Sequence, residues 1–210
     1  TLPNTNTQTV YTNYAGQVML KVVAQTGTGN KWYAYYSYDS SGRILQKATA
    51  EAVASYSEAS AGLVTLNAAA GLIRVYEYYT TTNIGTGAVA GYLRYEKVQQ
   101  GGSGTPILVK EYQYTSQTVG TNTVYPVAKT IAYQSDASGG SSPAETDYTY
   151  VFFSGTLRVQ QRTITWPAIT TAQNGSNSAN SRVEVFDQYG QLIWVKDELG
   201  FLTRFKYCLL

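Results

Sequence analysis

Hydrophobic and polar residues alternate along most of this chain, in short runs separated by turns rich in glycine. In the run at 31–39, KWYAYYSYD, alternate residues would form the two faces of a strand, and both faces carry tyrosines. Similar runs lie at 18–24, 72–79, 90–98, 107–114, 127–134, 146–153 and 156–166. The connections between them are too short for crossover helices. The pattern therefore predicts an all-β protein, an antiparallel meander that forms a curved or spiralling sheet, shell-like or barrel-like.

Four of the predicted turns share one spacing, in which Asp or Asn stands three residues before Gly. They pair Asn13 with Gly16, Asp39 with Gly42, Asp187 with Gly190, and Asp197 with Gly200. An Asp or Asn side chain can accept a hydrogen bond from the backbone two residues on, and Gly tolerates the positive φ of a tight turn. We therefore interpret these eight residues as structural turn formers. The stretch 186–207, FDQYGQLIWVKDELGFLTRFKY, contains two of the turns and predicts three successive strands.

Other segments depart from this pattern. Ala and Glu dominate 48–60, which predicts a short helix at 51–56, with an irregular loop as the alternative. The polar segment 170–181 is predicted to be an exposed loop; Asn174 there begins an Asn-Gly-Ser triplet, either a glycosylation sequon or a chance match. We expect an N-terminal arm or linker at 1–9 and one β domain at 10–210, in which the middle, 60–180, has no clean turn motif. We further expect the chain to be a segment or unit of a longer assembly.

The composition excludes several classes of function. The 210 residues include no His and a single Cys, Cys208, which rules out an intrachain disulfide and the usual general base. Charged residues make up 13% and the net charge is +2, so no nucleic-acid surface is expected. No apolar stretch is long enough to span a membrane. The sequence thus predicts no enzyme activity, no cofactor and no metal site.

Two kinds of candidate site were weighed against simpler interpretations. Trp32, Trp166 and Trp194 could stack on sugar rings, or they could pack across strands as aromatic residues in sheets do. Asp136, Glu145 and Asp147 could offer oxygen ligands to calcium, but they lack the spacing of a known calcium loop. Stacking at the three tryptophans therefore remains the one candidate for ligand binding.

One motif resembles a known family. Residues 38–43 read Tyr-Asp-Ser-Ser-Gly-Arg, and 186–207 matches a full unit of the same type, closed by Phe-x-Tyr. This resembles the Rhs or YD-repeat family of bacterial surface and toxin-shell proteins and animal teneurins. Phe186 stands where the family has Tyr, and Cys208 where its next Asp would be. The resemblance implies a long β-sheet that spirals into a hollow shell. The cleavage residues of the family's shell-closing domain are not found, so it implies no protease.

These observations predict a structural role outside the cell. We expect an extracellular or cell-surface β-repeat protein, a unit of a shell, fibre or filament whose partner is itself, joined through sheet edges. One alternative is a module that binds carbohydrate or a cell surface. The other is a segment of a shell that encloses a toxin.

Overall fold

The computed structural model describes residues 6–60, 62–134 and 138–207, and all regular elements there are strands or single 3-10 turns. Cys208 and Asp136 lie outside the described residues, as do 1–5 of the predicted arm. The described part of the chain contains no helix long and apolar enough to cross a membrane.

Thirteen strands form one antiparallel sheet. In their hydrogen-bonded order they are β1 (Thr7–Thr12), β2 (Val18–Ala24), β3 (Lys31–Tyr38), β4 (Ile44–Ala48), β7 (Leu72–Tyr78), β8 (Leu93–Gln100), β9 (Ile107–Tyr114), β12 (Val127–Tyr133), β13 (Pro143–Phe152), β14 (Val159–Thr165), β15 (Ser181–Phe186), β16 (Leu192–Lys196) and β17 (Leu202–Arg204). Two small hairpins complete the fold: β5 (Val53–Tyr56) with β6 (Val64–Leu66), and β10 (Gln117–Val119) with β11 (Asn122–Val124). The order follows the sequence throughout, which confirms the all-β antiparallel meander. In this order β1 and β17 are the first and last strands of the sheet.

Two local predictions were wrong. The helix expected at 51–56 is a 3-10 turn, Ala50–Ala52, followed by strand β5. Ala52 and Val53 are buried against Ile73, so packing decides the backbone there rather than the helix propensity of Ala and Glu. The other error concerns the arm at 1–9, because β1 begins at Thr7 and pairs with β2.

Contacts divide the chain into two compact units. One unit comprises the described residues within 1–78, 95–109 and 135–141, and the other comprises those within 79–94, 110–134 and 142–210.

In the first unit, the β5–β6 hairpin packs on one face of the sheet. Ala48, Ala52, Val53 and Ile73 form its buried cluster, and the half-buried rings of the β3 tyrosines at 33 and 35 pack against it. Leu20 and Ile73 are fully buried. One face of the predicted aromatic strand therefore contributes to the core.

The second unit packs tyrosines against one another where two loops meet. Tyr92 contacts Tyr114 with ring centroids 5.0 Å apart and Tyr125 at 5.8 Å, both edge to face. Tyr79 also contacts Tyr114, at 6.4 Å. Edge-to-face pairs of this kind add to the free energy gained by burial alone.

Gly71 tests how closely the hairpin of the first unit packs. A Cβ on Gly71 would lie 2.0 Å from the Ala52 nitrogen, and its φ is +80°. We expect Gly71→Ala to lower the free energy of unfolding by about 3 kcal/mol or more, since backbone atoms would have to move and the left-handed φ adds strain.

Gly16→Ala is the matched control in the same unit. Gly16 has a φ of +78°, but no atom lies within 4 Å of its added Cβ, so only the strain of about 1–2 kcal/mol applies. Urea unfolding of both variants gives the comparison. Equal losses would show that the contact with Ala52 is not close.

Candidate functional site

The turn at Asp39 is closed by four hydrogen bonds. The Asp39 amide donates to the Arg43 carbonyl at 2.9 Å, and the Gly42 amide donates to the Asp39 carbonyl at 3.0 Å. The carboxylate Oδ1 of Asp39 accepts from the amides of Ser41 and Arg43, both at 2.9 Å. One side chain therefore holds two amides that the ends of the two strands leave without ladder partners.

The same four bonds recur at the other three predicted turns. They form around Asn13, Asp187 and Asp197 with donor–acceptor distances between 2.8 and 3.0 Å. The glycines at 16, 42, 190 and 200 all have positive φ, from 78° to 90°. The structure thus places all eight predicted turn residues in one geometry.

Charge distinguishes the Asp39 turn from the Asn13 turn. Arg43 contacts the Asp39 carboxylate Oδ2 through Nε at 2.7 Å, and its guanidinium lies 4.5 Å from the centroid of the Tyr78 ring. The backbone amide of Arg43, followed by its side chain and the Ser41 amide, lowers the pKa of Asp39 below its usual value. The Asn13 side chain instead contacts the side chain of Gln17. The side-chain amide nitrogen of Gln17 in turn donates to the Gly42 carbonyl and joins the two turns.

A second contact recurs one strand away from the turns. The Tyr38 hydroxyl, at the end of β3, donates to the carbonyl of Val18, the first residue of β2, at 2.9 Å. Tyrosines within three residues of the ends of other strands make the same contact with the first residue of the preceding strand in the sheet. The pairs are Tyr78 with Ile44 (2.9 Å), Tyr114 with Leu93 (2.8 Å), Tyr150 with Val127 (2.7 Å) and Tyr207 with Leu192 (2.9 Å). We call these five residues the strand-end tyrosines.

Two connections in the middle of the chain keep the closing backbone bond of the Asp39 turn without its Asp-x-x-Gly spacing. The Tyr79 amide donates to the Tyr92 carbonyl and the Thr115 amide to the Pro126 carbonyl, both at 2.9 Å, as the Asp39 amide does to Arg43. Both bonds close a connection that contains an inserted loop in place of the short turn. The closing bond and the tyrosine contact are therefore kept together at these two connections although the Asp-x-x-Gly spacing is lost. The sequence signal that accompanies each of these two connections is a tyrosine one residue before it, Tyr78 and Tyr114.

The three predicted stacking residues are divided between the two units. Trp32 belongs to the first unit, whereas Trp166 and Trp194 belong to the second. Trp32 is 48% exposed. The Trp166 indole nitrogen donates to Glu198 at 3.0 Å, and the Arg204 guanidinium lies 5.2 Å from the Trp194 ring centroid. Two of the three candidates for stacking are therefore engaged by charged neighbours.

The two outer strands of the sheet each have one partner among the described residues. β1 pairs with β2, and β17 pairs with β16. The Asp197 amide donates to the Phe201 carbonyl, and the Phe205 amide to the Ile193 carbonyl, each at 3.0 Å. Because antiparallel bonding alternates, the amides of Leu202 and Arg204 point away from β16. Leu199, Phe201 and Leu202 are each more than 65% exposed beside this edge.

Comparison with known proteins adds little to this picture. No family model matches the chain, and no curated protein matches it. Among solved structures, a chain of the crystal structure of TcdB2-TccC3-Cdc42 is similar, with 13% identity and a TM-score of 0.39. The similarity covers 95% of this chain and 11% of that chain, so this protein spans about a tenth of its length.

The Asp39 turn gives a test of side-chain closure. We expect Asp39→Ala to lower the free energy of unfolding, since two amides lose their acceptor. Asp39→Asn keeps that acceptor, as Asn13 does in its own turn, so its loss should be smaller. Because the pKa of Asp39 is lowered on folding, its contribution is present above its unfolded pKa and is lost as pH falls through the folded pKa.

Chemical unfolding of the wild type and both variants at pH 7 and pH 3 measures these effects. The gap between wild type and Asp39→Ala should narrow at the lower pH. Ser40→Ala, in the same turn but without a role in its closure, is the control. An Asn variant as unstable as the Ala variant would contradict the assigned role of Oδ1.

Tyr114 tests the strand-end tyrosines. We expect Tyr114→Phe to lower the free energy of unfolding by about 1 kcal/mol, because the Leu93 carbonyl loses its donor. Tyr14→Phe, at a fully exposed ring, should change nothing measurable. Burial, followed by the neighbouring Tyr79 and Tyr92, raises the pKa of Tyr114 to about 12.

An absorbance titration of tyrosinate should therefore lose a late-ionising group in Tyr114→Phe. Since the pKa is raised on folding, the contribution of Tyr114 to stability is present below pH 10 and is lost as pH rises towards 12. If the variant and wild type titrate identically, Tyr114 is not held as described.

Proposed function

We propose that this chain is a structural segment of an extracellular β-sheet assembly, a shell, fibre or filament, that joins a further copy of itself through its sheet edges. The observation that carries the proposal is the recurrence of one turn and one tyrosine contact along an open meander. Such a fold adds strands by repeating the same local contacts, and each hairpin buries its surface against its neighbours. The resemblance of residues 38–43 and 186–207 to the Rhs or YD-repeat family supports the same proposal.

The edge strand β17 is suited to pairing. The outward amides of Leu202 and Arg204 are backbone donors of the kind that an added strand uses. Exposed Leu199, Phe201 and Leu202 supply apolar surface beside them. A strand that paired with β17 would accept hydrogen bonds from these two amides and would bury the apolar surface at the same time.

The other edge strand, β1, carries neither a charged residue nor a proline. Its sequence, TQTVYT, contains no proline and no charged residue, and five of its six residues are exposed. Proteins that avoid edge pairing usually place such residues at an edge. β1 of a second copy is therefore the partner that we propose for β17.

The composition supports a location outside the cell. Tyr and Thr are abundant, Lys is scarce and there is a single Cys. This composition suits a secreted or surface protein that does not rely on cross-links. An alternative from the same sheet is that β17 pairs with further strands of a longer polypeptide, as in a shell around a toxin. Association of the purified chain with itself separates the two assemblies, because only the first requires it.

A proline at the edge tests the proposal. Leu202→Pro removes an outward amide and leaves the bonds to β16 in place, since Phe201 and Phe205 make them. We expect it to weaken self-association by about tenfold or more, measured by light scattering across a concentration series and by electron microscopy. Circular dichroism should remain unchanged.

Leu202→Val is the matched control, because it keeps the amide and a side chain suited to strands. It should associate as the wild type does. A wild-type chain that stays monomeric at high concentration, or a Pro variant that associates normally, would reject pairing through β17.

A further inference from the structure

One hairpin of the sheet lacks a strand-end tyrosine. In the β14–β15 pair, Val185 lies opposite Gln161, so Phe186 at the end of β15 lies opposite Gln160. In β2–β3, by contrast, Leu20 lies opposite Tyr35, which brings Tyr38 opposite Gln17 and next to the Val18 carbonyl. β15 therefore ends before it can reach Val159, the first residue of β14.

The cause lies in the preceding hairpin. Elsewhere along the meander, Tyr38, Tyr78 and Tyr114 stand one residue before a connection, whereas two more strand residues, Val151 and Phe152, follow Tyr150. Phe152 then pairs with Val159 across the next turn. This extension moves the start of β14 beyond the end of β15. Phe186, which precedes Asp187 as Tyr38 precedes Asp39, has no hydroxyl, so no strand-end tyrosine contacts the Val159 carbonyl.

A cavity lies at that position. Its volume is about 470 Å³, within the range that accepts a small organic ligand. Its walls are Tyr150, Arg158, Val159, Arg162, Phe186 and the Tyr189–Gly190 turn. Three aromatic rings and two guanidinium groups thus surround Val159, which begins β14 as Val18 begins β2.

The two arginines differ in what they can offer. Arg162 contacts the Glu184 carboxylate with Nε at 2.9 Å and a second nitrogen at 2.5 Å, and Glu184 is buried. Glu184 is also paired with Arg182, at 3.1 Å. Arg158 is exposed and donates through one nitrogen to the Gln188 carbonyl at 2.6 Å, which leaves other donors of its guanidinium for a ligand. Its charge has no carboxylate partner in the cavity wall.

We propose that this cavity binds a small phenolic carboxylate. The ring fills the place of the absent tyrosine between Phe186 and Tyr150, and its hydroxyl donates to the Val159 carbonyl as the strand-end tyrosines do to their acceptors. The carboxylate pairs with Arg158 at the mouth, the geometry in which a planar guanidinium binds anions well. The site needs no second chain and is independent of pairing through β17.

N-acetyl-tyrosine is the probe, because it carries the phenol and the carboxylate. Calorimetric or NMR titration of the full chain should show saturable binding. N-acetyl-phenylalanine, without the hydroxyl, and N-acetyl-tyrosine amide, without the carboxylate, should each bind several-fold more weakly. Arg158→Gln should weaken binding of N-acetyl-tyrosine by about tenfold, the loss expected for one charge-assisted contact, and should reduce the advantage over the amide.

Two further variants make the assignment specific. Arg204→Gln removes an exposed arginine beside Trp194 and should leave affinity unchanged. Phe186→Trp, which adds ring volume to the cavity wall, should abolish binding while circular dichroism stays constant. Absence of saturation with the wild type, equal affinity for the three probes, or equal losses for Arg158→Gln and Arg204→Gln would each overturn the proposal.

Discussion

Each connection between hairpins interrupts the β-ladder, and the backbone groups freed there must find other partners. Register shifts mark these points, as between Tyr11 and Thr12 in β1 and between Ser37 and Tyr38 in β3. An Asp or Asn oxygen takes up two freed amides on the turn side. A tyrosine hydroxyl from the next strand takes up a carbonyl at the start of the strand. These two side chains satisfy the same local demand repeatedly along the thirteen-stranded sheet, Asp or Asn at four turns and tyrosine at five strand starts.

Much of this could be predicted from the sequence, because its determinants are local. The alternation of hydrophobic and polar residues predicted a strand at 107–114, and β9 has the same first and last residues. The Asp-x-x-Gly spacing located turns whose hydrogen bonds lie within five residues. Prediction failed where packing between distant residues decides the backbone conformation. Ala52 and Val53 lie in a segment with helix propensity, but they are buried against Ile73 and the segment continues as a β-hairpin. The strand-end tyrosines were missed for a related reason: twenty residues are Tyr, and their position before a connection acquires meaning only when the pairing register is known.

The cavity at Phe186 shows the limits of local prediction in another way. Nothing in the sequence near Phe186 indicates a cavity, since the shift arises from two extra residues after Tyr150. In an antiparallel sheet a change of length in one hairpin passes to the next as an offset in register. A binding position can therefore arise without any new functional residue, at a carbonyl that no strand-end tyrosine contacts.

The bonds from Tyr79 to Tyr92 and from Thr115 to Pro126 have a practical consequence. Each holds the ends of a connection at the spacing found in the Asp39 turn, whatever lies between them. Lengthening a closed loop costs little free energy once its ends are fixed. The exposed tip of the β10–β11 hairpin at Gly120, which lies between Thr115 and Pro126, is therefore a suitable position for foreign sequence. A peptide epitope grafted there would be displayed from the sheet while the bond at the base of the loop is kept, which makes this protein a scaffold for modular engineering.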